Sequence, residues 1–404
     1  MSAFDAATPF DAATPFDASG DTAFVTLIEL GTPPTVTLSN VLALVLGSAT
    51  RGILGTNQLS DVYWSDISSD TFSARIRRGI DRDLEQSQAG SCTIQVDNSS
   101  RSFDPNNTAG TYYPWLTPQS QVRVTQDTKV LFTGQIETVS LEHGDYGKTS
   151  TVTLTCADAL ARVTQEIKWT PEAEHSGYER IARILQKIGW SATTYLVPGV
   201  VNFQAAVEQS GDALSQIDDV VFAERGMFYA AVSGILVFIP ASYWTGLPVS
   251  QTFSDAAAAD IRYSSITESV GTEMLVNRVE LTRGDSVVGD GDLASQGTYG
   301  LRTMDRATTV STDAAMTTLA AAIISRFATP EVRYSRTTIA TDRFSRSVRE
   351  QILGLELGSI VSVVRSPLGT GTPSTITRSQ IVIGIEHALA PKTIESVYTF
   401  GDLP

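Results

Sequence analysis

The sequence is poor in the residues that most often carry chemistry. Its 404 positions hold three histidines, His143, His175 and His387, and two cysteines, Cys92 and Cys156. A disulfide framework is therefore excluded. Both cysteines sit in strand-like runs, SCTIQV and TVTLTC, and read as buried thiols; a single bridge between the two strands stays open. No HExxH, CxxC or Cys/His cluster occurs, so no metal site is expected. Each histidine follows a glutamate, but adjacent residues do not share a helix face, and the three read as unrelated surface or loop residues. A GxSxG elbow is missing, the nearest approach being Gly47-Ser48, and so is a GxxxxGK(S/T) phosphate loop. Asp81-Arg82-Asp83 and Asp104-Pro105-Asn106-Asn107 offer oxygens, yet neither fits the twelve-residue calcium loop with its terminal glutamate. Turn chemistry accounts for the second. Nothing among the 44 acidic residues singles out a catalytic pair. These absences lead to the expectation of a non-enzymatic protein with no catalytic residue, metal or cofactor.

Positive charge is also scarce: 29 Lys and Arg face 44 Asp and Glu, a formal net charge of -15. Affinity for a phosphate backbone comes mainly from cations that displace counterions, so nucleic-acid binding is disfavoured. An acidic wall past which DNA slides remains compatible with this balance, as does simple solubility. Long apolar runs are absent too. Val41–Leu46 and Ile235–Ala241 fall well short of the roughly 18–20 residues of a membrane span. No basic stretch followed by an apolar one opens the chain, so no signal peptide is expected.

What is present begins with a repeat. FDAATP occupies Phe4–Pro9 and again Phe10–Pro15, and a truncated FDAS follows from Phe16. Pro9 and Pro15 forbid a regular helix or central strand. Residues 1–21 are read as an arm that does not fold on itself, with Phe4, Phe10 and Phe16 as candidates for docking on a neighbouring chain. From 22 to 165 the pattern is β: Phe24–Ile28, Val36–Leu38, Val41–Leu46, Phe72–Ile76, Thr93–Val96, Val122–Val124, Val130–Gly134 and Thr151–Thr155 are short β-branched runs separated by turn residues. Such spacing argues for a sandwich or barrel. The character changes over 166–260. Gly177–Trp190 and Gly211–Gly226 have helical periodicity, and Met227–Pro240 reads as a hairpin around Ser233-Gly234, a small α+β module. A second β-rich region, 261–404, holds candidates at Asn277–Leu281, Thr337–Thr341, Ile360–Val364, Ile381–Glu386 and Thr393–Phe400. One helix, Thr312–Phe327, interrupts it and reads as apolar on most faces, hence buried between layers or at an interface. Gly284–Gly300 reads as an exposed loop. The fold class expected is mainly β.

Residues Ala74 to Val163 carry a resemblance. Gly90, Asp97-Asn98, Arg101, Phe103-Asp104-Pro105, Asn107, Tyr112-Tyr113-Pro114, Pro118, Val122-Arg123-Val124, Phe132, Gly134 and Ala157-Asp158-Ala159-Leu160 follow one another in the order found in minor tail and tail hub proteins of actinobacterial siphophages. The chain resembles that family over about a quarter of its length, and more weakly beyond. The resemblance implies two tail-tube-like β-barrels flanking the α+β module and a trimeric ring at the tail tip of the virion. It also implies as partners a distal tail protein or tail tube, a tape measure protein, and fibres or receptor-binding proteins. A peptidase or hydrolase domain, which some such proteins carry, has no room before Pro404. The FDAATP arm departs from the family plan. Tyr112, Tyr113 and Trp115 are further docking candidates, since such rings bridge core and wet surface. Other readings stay open: a hexameric distal tail ring, a cell-wall hydrolase used at entry, and a glycan-binding module using Tyr112–Trp115.

Overall fold

The computed structural model describes residues 26–32, 63–83, 85–168, 173–205 and 210–402. The arm with Phe4, Phe10 and Phe16, and the strand candidates Val36–Leu38 and Val41–Leu46, lie outside the described residues. The first half is a sheet of seven strands: β1 (Thr26–Thr32), β2 (Tyr63–Asp66), β3 (Thr71–Gly79), β4 (Ser91–Asp97), β5 (Gln121–Gln126), β6 (Lys129–Gly144) and β7 (Thr149–Asp158). Alternation sets its faces. In β4, Cys92, Ile94 and Val96 point inward while Ser91, Thr93 and Gln95 face out. The inward set joins Ile28, Ile76, Val122, Val124, Phe132 and Leu154 in one core, each such side chain contributing about 1.5–3 kcal/mol on burial.

The middle of the chain mixes short strands with two helices. It comprises β8 (Glu166–Lys168), β9 (His175–Ser176), α1 (Gly177–Lys187), β10 (Thr194–Leu196), β11 (Asn202–Phe203), β12 (Ser210–Asp212), α2 (Ala213–Glu224), β13 (Met227–Ala230) and β14 (Leu236–Ile239). Ser176 and Glu179 form a capping box at the start of α1, satisfying amides that the helix leaves free. Asp212 caps α2 through Ser215 N at 2.8 Å. The hairpin read at Met227–Pro240 is β13–β14, and β10 adds to it in parallel.

The last part holds β15 (Gln251–Ser254), β16 (Ser265–Ser269), β17 (Arg278–Arg283), β18 (Ser286–Gly291), α3 (Leu293–Tyr299), β19 (Thr303–Ala307), α4 (Asp313–Phe327), β20 (Arg333–Ala340), α5 (Arg346–Leu353), β21 (Ile360–Arg365), β22 (Ile376–Ala390) and β23 (Thr393–Asp402). Two expectations need correction. Gly284–Gly300 is not a loop but β18 and α3, because Asp292 caps a helix whose residues look turn-like in sequence. The helix α4 is not buried all round: Met316, Leu319, Ala320, Ile323, Ile324 and Phe327 are buried, while Ala314, Thr317, Thr318, Ala321 and Ser325 face solvent. Its small exposed residues mimic an apolar face. The core of α1 and α2 also takes in α4, Val279 and Leu281.

The two sheet halves repeat one topology. In the first half the strands lie in the order β5-β6-β7-β4-β3, and in the last β21-β22-β23-β20-β16, each neighbouring pair antiparallel. By chain position both are third-fourth-fifth-second-first. Both long fourth strands carry a bulge facing the fifth, between Ile136 and Thr138 and between Val382 and Gly384. Just past it stand equivalent rows, Thr138–Thr155–Thr93–Arg75 and Gly384–Thr399–Arg336–Thr267. Even the hydrogen bonds recur: Gln119 N to Ile136 O and Ile136 N to Ser120 O match Gly358 N to Val382 O and Val382 N to Ser359 O. The halves join where β22 pairs with β3, Gly384 opposite Gly79. A Cβ on Gly79 (φ +86) would fall 2.1 Å from Ile383 O, and one on Gly384 would fall 2.6 Å from Ile80 O, so the joint requires glycine on both strands. Among the described residues the resulting sheet is open, ending at β2 and β16, with no closed barrel.

Candidate functional site

The loop between β4 and β5 is held by hydrogen bonds from its own side chains. The buried side chain of Asn98 accepts from Phe103 N at 3.0 Å and donates to Ser150 Oγ at 3.2 Å. Arg101, held at φ 58, donates through Nε and Nη2 to Asp104 at 3.0 and 2.6 Å. Asp104 also accepts from Asn106 N at 2.9 Å, the turn chemistry expected there. Asn107 Nδ2 donates back to Arg101 O at 2.9 Å. The motif RSFDPNN is thus a self-bonded cassette, and it seats the aromatics. Phe103 and Tyr112 stack with centroids 4.8 Å apart, both buried. Tyr113 is 41% exposed, and Trp115 is half-buried with its carbonyl accepting from Ser120 Oγ at 2.6 Å. The expected trio therefore divides: Tyr112 is buried, Tyr113 is exposed and Trp115 is half-buried.

A second constellation, which the sequence did not announce, lies where the module meets the sheet halves. The connection 80–90 between β3 and β4 is fastened along its length by carboxylates. Ser87 N donates to Asp218 on α2 at 3.1 Å, Gly90 N to Asp158 at 2.8 Å, and Asp402 N to Asp83 at 3.3 Å. Burial raises each of these three carboxyls to about 6, against the pull of Arg326 and Arg333 at Asp83 and of backbone donors at Asp158. Arg78, 3% exposed, donates to Ala230 O and to Glu356, both at 2.7 Å, tying β3 to the hairpin β13–β14. Arg349 on α5 donates to Asp127 in the β5–β6 turn at 3.0 and 3.4 Å. A cavity of about 120 Å³ opens in the same seam, lined by Val221, Phe222, Met227, Trp244, Ile323 and Ile383 among others.

The histidines depart from expectation. His175 and His387 are buried, and only His143 faces solvent. Burial lowers His387 to about 3, so it is a neutral ring bonded to Ser396 Oγ at 3.0 Å. Cys92 and Cys156 stand directly opposite each other in β4 and β7 as free, buried thiols, and burial raises Cys156 to about 12. Among the described residues no group of three metal-ligating side chains converges and no helix is long and apolar enough to cross a membrane.

The outward face of the first half is rich in hydroxyls on its central strands, while Arg75 and Arg77 on β3, Arg123 on β5 and Glu142 on β6 add charge around them. Along β4, β7 and β6 it presents Ser91, Thr93, Gln95, Thr151, Thr153, Thr155, Thr138 and Ser140. Hydroxyls and carboxamides in such rows offer weak, exchangeable hydrogen bonds, with Arg75 at the end of the row through Thr93.

No protein-family model and no curated sequence matches the chain. Its fold is shared with solved structures. The tail protein from Neisseria meningitidis MC58 superposes with a TM-score of 0.60 at 12% identity, over 94% of this chain and 97% of that one. The 43 kDa tail protein of prophage MuSo2 from Shewanella oneidensis gives 0.56 at 10% identity, over 94% and 98%. A type VI secretion system component of E. coli, described as structurally similar to the T4 bacteriophage tail proteins gp27 and gp5, gives 0.50 at 10% identity, over 83% and 74%.

Proposed function

We propose that the chain is a structural subunit of a bacteriophage tail, and within it the tail-tip hub that closes the tail tube and links it to fibres or receptor-binding proteins. The observation that carries this reading is the doubled strand unit, within a fold shared over nearly the whole chain with two tail proteins, one of them from a prophage. A subunit with two equivalent units meets a six-fold tube as a trimer, three chains presenting six similar edges. The barrel-like units 22–165 and 261–404 then flank the module 166–260. The net charge of -15 and the hydroxyl-rich sheet face suit a channel that DNA passes without adhering. Above the ring sits the tail tube or distal tail protein, inside it the tape measure. Tyr113 and Trp115 supply an aromatic contact outward, and Phe4, Phe10 and Phe16 a tether to a neighbouring chain. No catalytic step, metal or cofactor enters this role.

Particle symmetry tests it. Averaged electron cryo-microscopy images of assembled tail tips, or of the purified chain, are expected to show three copies in a ring. Six copies would assign the chain to a distal tail ring instead. A chain that stays monomeric at every concentration, with or without its tail partners, would remove the hub reading.

A further inference from the structure

The joint inside the chain leaves a matching pair of edges outside it. On β22 one edge is shared: Ile376–Ile381 pair with β21, and beyond the bulge Gly384–Leu389 pair with β3. On β6 the equivalent edge is half used. Lys129–Gln135 pair with β5, and beyond the bulge residues 138–144 pair only with β7 on the opposite side. The counterpart of β3 in the second half is β16, which pairs only with β20 and exposes Ser265, Thr267, Glu268 and Ser269. Among the described residues both are therefore open strand edges with unpaired amides and carbonyls, a template for another strand. The chain contains its own demonstration of the geometry, because β22 and β3, the counterparts of β6 and β16, are already paired; Thr138 stands where the internal joint has Gly384, so a strand paired to β6 engages the residues beyond it.

We infer that β6 of one copy pairs antiparallel, beyond its bulge, with β16 of a second copy, repeating between molecules the joint that β22 and β3 make within one. The register follows from the internal joint. Ala388 stands four residues past Gly384 and opposite Arg75. Four residues past Thr138 is Glu142, and the row position of Arg75 is held in the second half by Thr267. Glu142 of one copy therefore faces Thr267 of the next, and His143 faces Ile266 as Leu389 faces Ala74. The contact is head to tail, since two different edges meet, and such contacts make a ring where the rotation closes. Every copy then offers one edge of each kind. The tail-ring reading enters here only in supposing that the neighbour is a second copy of the same chain.

The test is a cysteine pair in the full-length chain. Glu142→Cys and Thr267→Cys together, both at exposed positions, bring Cβ atoms to about 4.5–5.5 Å across a strand pair, close to disulfide range. The native thiols are buried and do not compete. Mild oxidation is expected to give covalent multimers from the double variant and none from either single variant. Substituting Ser269→Cys for Thr267→Cys breaks the register and should abolish them. On the unaltered chain, amide exchange over 138–143 and 265–269 should slow about tenfold or more on assembly. Oligomers by light scattering without crosslinks or protection would overturn the edge pairing and leave the hub reading standing. A crosslinked ladder that closes at a number other than three would keep the pairing and overturn the trimer. Monomers without crosslinks at every concentration would overturn both.

Discussion

Replacing Arg349 with alanine gives the sharpest check on how the sheet halves are held. Arg349 is 1% exposed and is the largest fully buried side chain among the described residues. Its Nε and Nη2 donate to Asp127 at 3.0 and 3.4 Å, and Nη1 donates to Phe344 O at 3.0 Å. The arginine belongs to α5 in the last half. The aspartate sits at φ 54 in the β5–β6 turn of the first. Arg349→Ala therefore takes the guanidinium away from a buried carboxylate and cuts a link between halves more than 200 residues apart in sequence, 222 by position. Breaking a buried pair from one side costs about 3–5 kcal/mol. Asp127→Asn keeps a side chain tolerant of positive φ while removing the charge. The double variant Arg349→Met with Asp127→Asn should then lose less than the two single changes added together, with a coupling of about 1–3 kcal/mol. Urea unfolding, followed by the shift in midpoint at constant slope, reads these differences. A loss under about 1 kcal/mol for Arg349→Ala, or strict additivity in the cycle, would refute the account.

Other outcomes follow from the same geometry. Cys92 and Cys156 should resist a thiol reagent in the native chain and react together in denaturant; reaction of either under native conditions would contradict their burial. Asp83, Asp158 and Asp218 have folded values raised to about 6, so the folded state binds protons that the unfolded chain, near 4, does not. Their effect is to stabilise the fold as pH falls from 7 to 5. His387, lowered to about 3, acts the opposite way below about 6.5. Three carboxyls outweigh one imidazole, and denaturation midpoints should be higher at pH 5 than at pH 7; a lower midpoint would count against the buried seam. Asn98→Ala removes the acceptor of Phe103 N and should cost about 1–3 kcal/mol, with protease cutting appearing between 101 and 119. Deleting residues 2–19 should leave the fold's circular dichroism unchanged and weaken tail-tip assembly, and unchanged assembly would discard the docking role of Phe4, Phe10 and Phe16.

Much of this fold was legible because its central strands are built from alternating β-branched residues. The runs Thr93–Val96 and Thr151–Thr155 fall inside the longer β4 and β7, and the helical run Gly177–Trp190 holds α1, which ends at Lys187. Strands without a buried face left little trace. β16, SITES, has one half-buried residue and no alternation strong enough to read, and β18 with α3 looked like a glycine-rich loop. The buried seam was silent for a different reason. A sequence marks Arg78 and Arg349 as two more cations, and only the fold decides which guanidinium loses its water. The doubled unit was equally hidden: position for position, the rows Thr138–Thr155–Thr93–Arg75 and Gly384–Thr399–Arg336–Thr267 agree only at Thr155 and Thr399, since hydrogen-bond geometry and not side-chain identity is what repeats. The paired tyrosines show the limit at the docking site. Tyr112 and Tyr113 are identical in sequence, and the cassette pinned by Asn98 sends one ring inward and leaves the other exposed.

The glycine-to-glycine crossing of β3 and β22 has a mechanical consequence. Two backbones that touch without side chains between them have nothing to repack and no rotamer to yield, so a load on one half passes straight to the other. The equivalent place on the open edge of β6 is Thr138, whose side chain holds an approaching strand further off and can shift. A ring of such chains under torsion would therefore give way between subunits first, each subunit turning as a rigid plate while the seams between them take up the strain.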